Sequence, residues 1–297
     1  MTKILDGTEL AGIIRAEVTS RAAAINELGV QPKLSVVMAT DDESTAWYVR
    51  SIVGAAKRTG IACEILDLGP TASNARLHAA LAGLSEDPDV HGIILQTPLP
   101  AGSDLPGLRA KISPAKDVDG SNPVSLGRLL SHQRAFAPAT AQAVISLLDH
   151  YGIDPTGKVA AVVGRSLVVG TPVANMLVQR NATVTLCHHH THDLPASTSG
   201  ADIVVVAVGV PGLITAEHVS DGAMIIDVGT TATDDGRLLG DVDADSVQGR
   251  AGGLTPVPGG VGPVTTALLL ANTVTAATDL HVRAQLTAGE LVGSAAL

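Results

Sequence analysis

Two spacings of apolar residues alternate along the chain. Over residues 8–28, Leu10, Ile13, Ile14, Val18 and Ala22 recur at a helical period, and Gly29 closes the run. Residues 33–39 form a short continuous apolar stretch, the pattern of a buried strand. The series continues with a helix over 44–59, a strand over 62–68, a helix over 73–84 and a strand over 92–96. Strands separated by helix-length segments imply parallel pairing with crossover helices. Residues 99–123 are dense in turn formers and interrupt the series. A helix over 138–150 opens a second one, with strands over 159–163, 183–187, 203–208 and 223–228 and a last helix over 264–277. The pattern predicts an α/β fold of two domains joined near Pro138. The last helix is expected to return to the first domain.

Composition narrows this picture. The chain has 297 residues, 45% hydrophobic but only 1% aromatic, so its cores must be built from Ala, Val, Leu and Ile. With 19 Lys and Arg against 29 Asp and Glu, the formal charge is −10. Nucleic-acid binding, which relies on clustered cations, is not expected. Two widely separated cysteines, Cys63 and Cys187, are no disulfide framework and suit a reducing cytoplasm. No apolar leader or uninterrupted apolar span is read, so no membrane partner is expected.

The chemistry concentrates after Lys158. The run VAAVVGRSLVVG carries a buried strand into Gly164 and then into a helix. Glycine lets backbone approach a phosphate, and a helix N-terminus offers free N–H groups and a positive dipole end. Arg165 and Ser166 add charge and a hydroxyl. Gly164 and Gly170 stand six apart, unlike G-x-G-x-x-G, and alone the motif reads equally well as a tight turn. The next strand ends in His188, His189, His190, Thr191 and His192, where an NAD site would carry an acid. Imidazoles suit a 2′-phosphate better, which favours NADP, with NAD as the alternative. Zinc on Cys187 and these histidines is the rival reading; one short segment without distant ligands argues against it, and no metal is expected. Val208, Gly209 and Thr230 end the next two strands, where ligands of open α/β sheets sit.

Together with YV at Tyr48 and Val49, GIILQTPLP at 92–100, KDVDG at 116–120, VVGRSLVVGTP at 162–172 and TPVPGGVGPVT at 255–265, these segments resemble one family. It is that of the bifunctional methylenetetrahydrofolate dehydrogenase/cyclohydrolases, and the likeness runs over residues 4–277. The resemblance implies two α/β domains flanking a cleft, the second of Rossmann type, usually in a homodimer. It implies a folate-binding catalytic domain over 1–137 with helix 264–282, an NAD(P)-binding domain over 138–263, and a flexible tail over 283–297. The implied activity is NADP-dependent oxidation of 5,10-methylenetetrahydrofolate in one-carbon metabolism. Tyr48 would lie against the folate, Asp119 would pair with the pterin amino-pyrimidine edge, and Gln96 would bond the reacting centre. Pro258, Gly259, Gly260 and Val261 would form a substrate-side loop; Gly164, Arg165, Ser166, His189, His190, Val208, Gly209 and Thr230 would hold the cofactor.

The sequence departs from the family in three places. Its helix reads Tyr-Val-x-x-Lys, but the lysine is Ile52 here, one turn beyond Tyr48. Isoleucine cannot move a proton, so the hydrolytic step to 10-formyltetrahydrofolate is expected to be weak. Lys57, nine residues past Tyr48, lies on the opposite face of the helix. A usual His-Ser-Arg-Thr is His188-His189-His190-Thr191, and a usual methionine is Val264. The alternatives are a fully bifunctional enzyme, a related dehydrogenase for another substrate, and a non-catalytic folate-binding paralogue.

Overall fold

The computed structural model describes residues 1–233 and 235–294. Its strands are β1 (Lys3–Ile4), β2 (Lys33–Met38), β3 (Ala62–Asp67), β4 (Gly92–Leu95), β5 (Val159–Val163), β6 (Thr183–Cys187), β7 (Ile203–Val206), β8 (Met224–Asp227), β9 (Thr231–Ala232), β10 (Leu238–Leu239) and β11 (Gly253–Leu254). Its helices are α1 (Gly7–Glu27), α2 (Glu43–Arg58), α3 (Asn74–Glu86), α4 (Leu105–Lys111), α5 (Pro123–Leu130), α6 (Ala139–His150), α7 (Gly170–Gln179), α8 (Leu194–Thr198), α9 (Ala244–Val247) and α10 (Val261–Ser294). The chain divides into two compact units. One holds residues 14–128, 134–136 and those from 269 on; the other holds 1–13, 129–133 and 137–268.

In the first of these, β3, β2 and β4 make a parallel sheet in that order. The central strand β2 is buried from Leu34 to Met38, as its unbroken apolar run requires. The α2 helix starts where Asp42 accepts a hydrogen bond from Thr45 N at 2.7 Å, and Lys57 and Arg58 complement its C-terminal dipole. Thr45, Val49, Ile52, Ala55 and Ala56 form its buried stripe. Trp47 stands on its outside, 62% exposed. The turn-rich segment 99–123 contains a helix the spacing did not reveal, α4, and runs into a second, α5. Both are seven or eight residues long, too short to show a period, and α4 is announced only by the Asp104 cap on Gly107 N.

In the other unit six parallel strands run β1-β11-β8-β7-β5-β6. Strand order reverses at β5, which has β6 on one side and β7 on the other. Ala161, Val163, Val204, Val206 and Ile225 are buried in a core without aromatic rings. At the N-terminus β1 pairs with β11, so residues 1–13 pack with this second unit. A two-residue strand carries no period, and its partner lies some 250 residues away. The strand expected over 203–208 ends at Val206, because Val208 N and Gly209 N turn to the Asp241 carboxylate.

The last helix also differs from expectation. It begins at Val261, three residues early, and continues to Ser294 in place of a coil from 283; residues 295–297 lie outside the described residues. Good helix formers (Arg283, Ala284, Gln285, Leu286) sustain it past the apolar stripe. Its segment Val261–Leu286 is long and apolar enough to cross a membrane, but Val264, Leu269, Leu270, Val274 and Ala277 are buried inside the protein.

Candidate active-site regions

The turn after β5 is built by contact between main chains. Gly164 has φ 118°, and a Cβ there would lie 2.2 Å from Ala207 O. A Cβ on Gly170 would lie 1.8 Å from Gly164 O. Both positions therefore admit only glycine. The helix does not follow Gly164 directly; residues 165–169 intervene and α7 opens at Gly170. Ser166 Oγ accepts from Val169 N at 3.1 Å, and Thr171 Oγ1 donates to Arg165 O at 3.2 Å. This clasp leaves the Arg165 and Ser166 side chains exposed beside the amino end of α7, a donor set suited to a phosphate.

The histidine segment follows β6. Thr191 Oγ1 accepts from His188 N at 2.9 Å, and His188 Nδ1 accepts from His190 N at 3.1 Å. The His189 and His190 rings lie with centroids 3.7 Å apart, tilted by 49°. Partial burial, then the Arg165 guanidinium and the two neighbouring rings, hold His188 below the usual imidazole range. The structure thus brings Arg165 into the field of this segment and adds half-buried His188 to the expected His189 and His190. Among the described residues no three His, Cys, Asp or Glu side chains form a metal-binding set.

Two carboxylates not expected as site residues organise the next two turns. Asp241, wholly buried, accepts from Val208 N at 2.7 Å and Gly209 N at 2.9 Å through Oδ2; among the described residues its Oδ1 has no partner. Asp227 accepts from Gly229 N at 2.8 Å, Asp241 N at 3.0 Å and Val242 N at 2.9 Å. Burial pushes its carboxyl up to about 6, against those three bonds, with the Asp241 charge adding to the rise. Thr230 lies just beyond and is exposed. An acid ending each of two otherwise apolar runs, MIID and LLGD, was the available signal; their partnership depends on the fold.

The glycine loop belongs to the same unit. Gly259 O accepts from Gly7 N at 2.9 Å, Pro256 O accepts from Gly260 N at 2.8 Å, and a Cβ on Gly7 would stand 1.9 Å from Gly260 O. Pro258 is exposed and Gly259 half-buried, whereas Gly260 and Val261 are buried.

Tyr48, Gln96 and Asp119 fall in the other unit. Gln96 follows β4, and Tyr48 lies in the second turn of α2, the helix entered from β2; both belong to the carboxyl side of one parallel sheet. Segment 116–118 runs beside β4, with Lys116 O accepting from Ile93 N at 2.8 Å. Two charges of KDVDG are structural: the Lys116 ammonium donates to Leu84 O and Asp87 O, and Asp117 accepts from Ser121 N and Asn122 N. Asp119 is the remaining acid of the motif. It keeps part of its surface in water, yet the surrounding protein and then Asp117 push its carboxyl up to about 7, while Arg109 pulls it down. Ile52 is fully buried, and Lys57 and Arg50 are exposed.

Residues 138–281 match the family model of the tetrahydrofolate dehydrogenase/cyclohydrolase NAD(P)-binding domain, and residues 5–119 match the model of its catalytic domain. The chain belongs to the tetrahydrofolate dehydrogenase/cyclohydrolase family. It is 70% identical over 277 residues to bifunctional protein FolD 1 of Rhodococcus jostii, covering 93% of each chain. It is similar to the bifunctional FolD of Campylobacter jejuni (TM-score 0.91, 36% identity, 94% and 99% covered). It is also similar to the Trypanosoma brucei FolD complexed with NADP and an inhibitor (TM-score 0.90, 36% identity, 94% and 98% covered). In this tetrahydrofolate dehydrogenase/cyclohydrolase the turns after β5, β6, β7 and β8 lie in the family's NAD(P)-binding domain. Tyr48, Gln96 and Asp119 lie in its catalytic domain.

Proposed function

We propose that this enzyme oxidises 5,10-methylenetetrahydrofolate to the 5,10-methenyl cation with NADP and hydrolyses that cation slowly. The observation that carries the reading is the contrast within one unit: Tyr48, Gln96 and Asp119 are present, while the position of the family lysine is a buried isoleucine. Asp119 accepts the pterin N–H donors and fixes orientation. Tyr48 covers the folate ring, and Gln96 offers its amide to the reacting centre. Glycine backbones at the strand ends and in loop 258–261 let both ligands approach closely. NADP supplies a hydride acceptor when bound. Arg165 and the histidines are chemically suited to its 2′-phosphate, and the Trypanosoma brucei relative was solved with NADP. Hydride loss needs no strong acid or base here, whereas water attack on the cation needs proton transfer, for which Ile52 is useless.

A fully bifunctional enzyme is the second reading, favoured by the name of the 70% identical relative. One experiment separates them. Purified protein is given methylenetetrahydrofolate with NADP or NAD, and methenyl absorbance is followed. Methenyltetrahydrofolate alone is then followed as it disappears. Methenyl formation with NADP and hydrolysis close to the uncatalysed rate is expected; rapid hydrolysis would establish the bifunctional reading. A cytoplasmic location, which two unbridged cysteines suit, and a homodimer are further parts of the proposal; fractionation and light scattering test them.

A further inference from the structure

We propose that Asp241 is a positioning residue for the nicotinamide cofactor, fixing from full burial the backbone turn at Val208 and Gly209. The assignment rests on reading the strand-end turns of this unit as the cofactor's seat.

Three observations carry it. First, one carboxylate oxygen, Oδ2, receives both consecutive amides of the turn, at 2.7 and 2.9 Å. Second, the turn lies directly against the Gly164 turn. A Cβ on Gly164 would be 2.2 Å from Ala207 O and 3.4 Å from a Val208 methyl, so displacement of 207–209 is transmitted to the phosphate-side backbone. Third, Asp241 is itself held. Asp227 accepts its N–H at 3.0 Å and the N–H of Val242 at 2.9 Å, and also receives Gly229 N from the turn after β8. Two carboxylates thus tie the ends of neighbouring strands β7 and β8 into one rigid edge beside β5, where strand order reverses.

Stability alone does not account for this choice. A fully buried carboxylate is costly, and this one satisfies amides with a single oxygen. Its return is geometric: the two amides have one allowed direction.

The test uses the full-length protein and its D241A and D241N variants. NADPH and NADH binding are measured by titration, folate KM by the dehydrogenase assay, and amide hydrogen exchange by NMR. D241A should weaken NADPH and NADH alike by about tenfold or more, since the two amides of the turn lose their acceptor. Folate KM should stay within about twofold, because that site is built from other residues. D241N keeps an acceptor oxygen and should recover most of the affinity. The Val208 and Gly209 amides should be protected in the wild type and exchange freely in D241A. A folded D241A that binds both dinucleotides normally, a D241N as impaired as D241A, or unprotected wild-type amides would each overturn the assignment. If D241A does not fold, wild-type protection and D241N still decide it. Wild-type protein that binds no dinucleotide would instead overturn the cofactor reading, while the exchange data would still judge the turn.

Discussion

The two units of this protein present different materials to their proposed ligands. In the NAD(P)-binding unit the candidate surface is mostly main chain: glycines at 164, 170, 209 and 229, with amides aimed by Asp227 and Asp241. In the catalytic-domain unit it is side chain: the Tyr48 ring, the Gln96 amide and the Asp119 carboxyl. A backbone site is set by what packs beneath it. A side-chain site can be altered group by group on an unchanged frame. The units should therefore respond to substitution in opposite ways, the first through stability and the second through kinetics.

The largest effect should come from the backbone site. Gly170→Ala places a Cβ 1.8 Å from Gly164 O and should cost about 3 kcal/mol or more of stability, read from the denaturant midpoint. A stable G170A with ordinary NADP affinity would remove the distinction between the units. On the other side, Asp119→Asn should lower dehydrogenase kcat/KM by about 100-fold, mainly through folate KM, with NADP affinity unchanged. Its stability should move the other way. The folded carboxyl sits at about 7 against an ordinary 3.8, so its contribution is full at low pH and is lost as pH rises through about 7. D119N should melt above wild type at about pH 8, and that advantage should shrink below about pH 7 and vanish only near pH 4. Melting curves at the two extremes check the sign.

Ile52→Lys sharpens the comparison inside the catalytic-domain unit. It should raise the ratio of cyclohydrolase to dehydrogenase activity by about tenfold or more, and lower Tm by several degrees as a charge enters a fully buried position. An unchanged ratio would remove Ile52 as the reason for slow hydrolysis. The smallest effect concerns the histidine side chains of the nucleotide unit. His188 is held below the usual imidazole range, and a bound 2′-phosphate favours its charged form. The preference for NADP over NAD should therefore fall by about threefold between about pH 6 and pH 8; a level ratio from titrations would exclude a histidine contribution.

What could be read from the sequence follows the same division. The parallel strands showed themselves as apolar runs, and the glycine turns and the Tyr48, Gln96 and Asp119 positions as motifs. Elements of two residues, such as β1 and β11, have no period, so the pairing that seats the N-terminus in the six-stranded sheet does not show in the sequence. Helices α4 and α5 were hidden by the Pro and Gly that also make turns. The part played by Asp241 was out of reach because its partners, Val208 and Gly209, stand more than thirty residues away and meet it only through the folded sheet. The end of α10 was missed because a helix can outlast its apolar stripe.

The aliphatic cores have a practical consequence. The chain's single tryptophan, Trp47, stands largely in water one residue before Tyr48. Its emission should be that of a wet indole, so melting of either core should pass almost unseen in intrinsic fluorescence. The same indole is a built-in optical reporter on α2. A folate that settles against Tyr48 should register in a spectrum to which the rest of the protein contributes almost nothing.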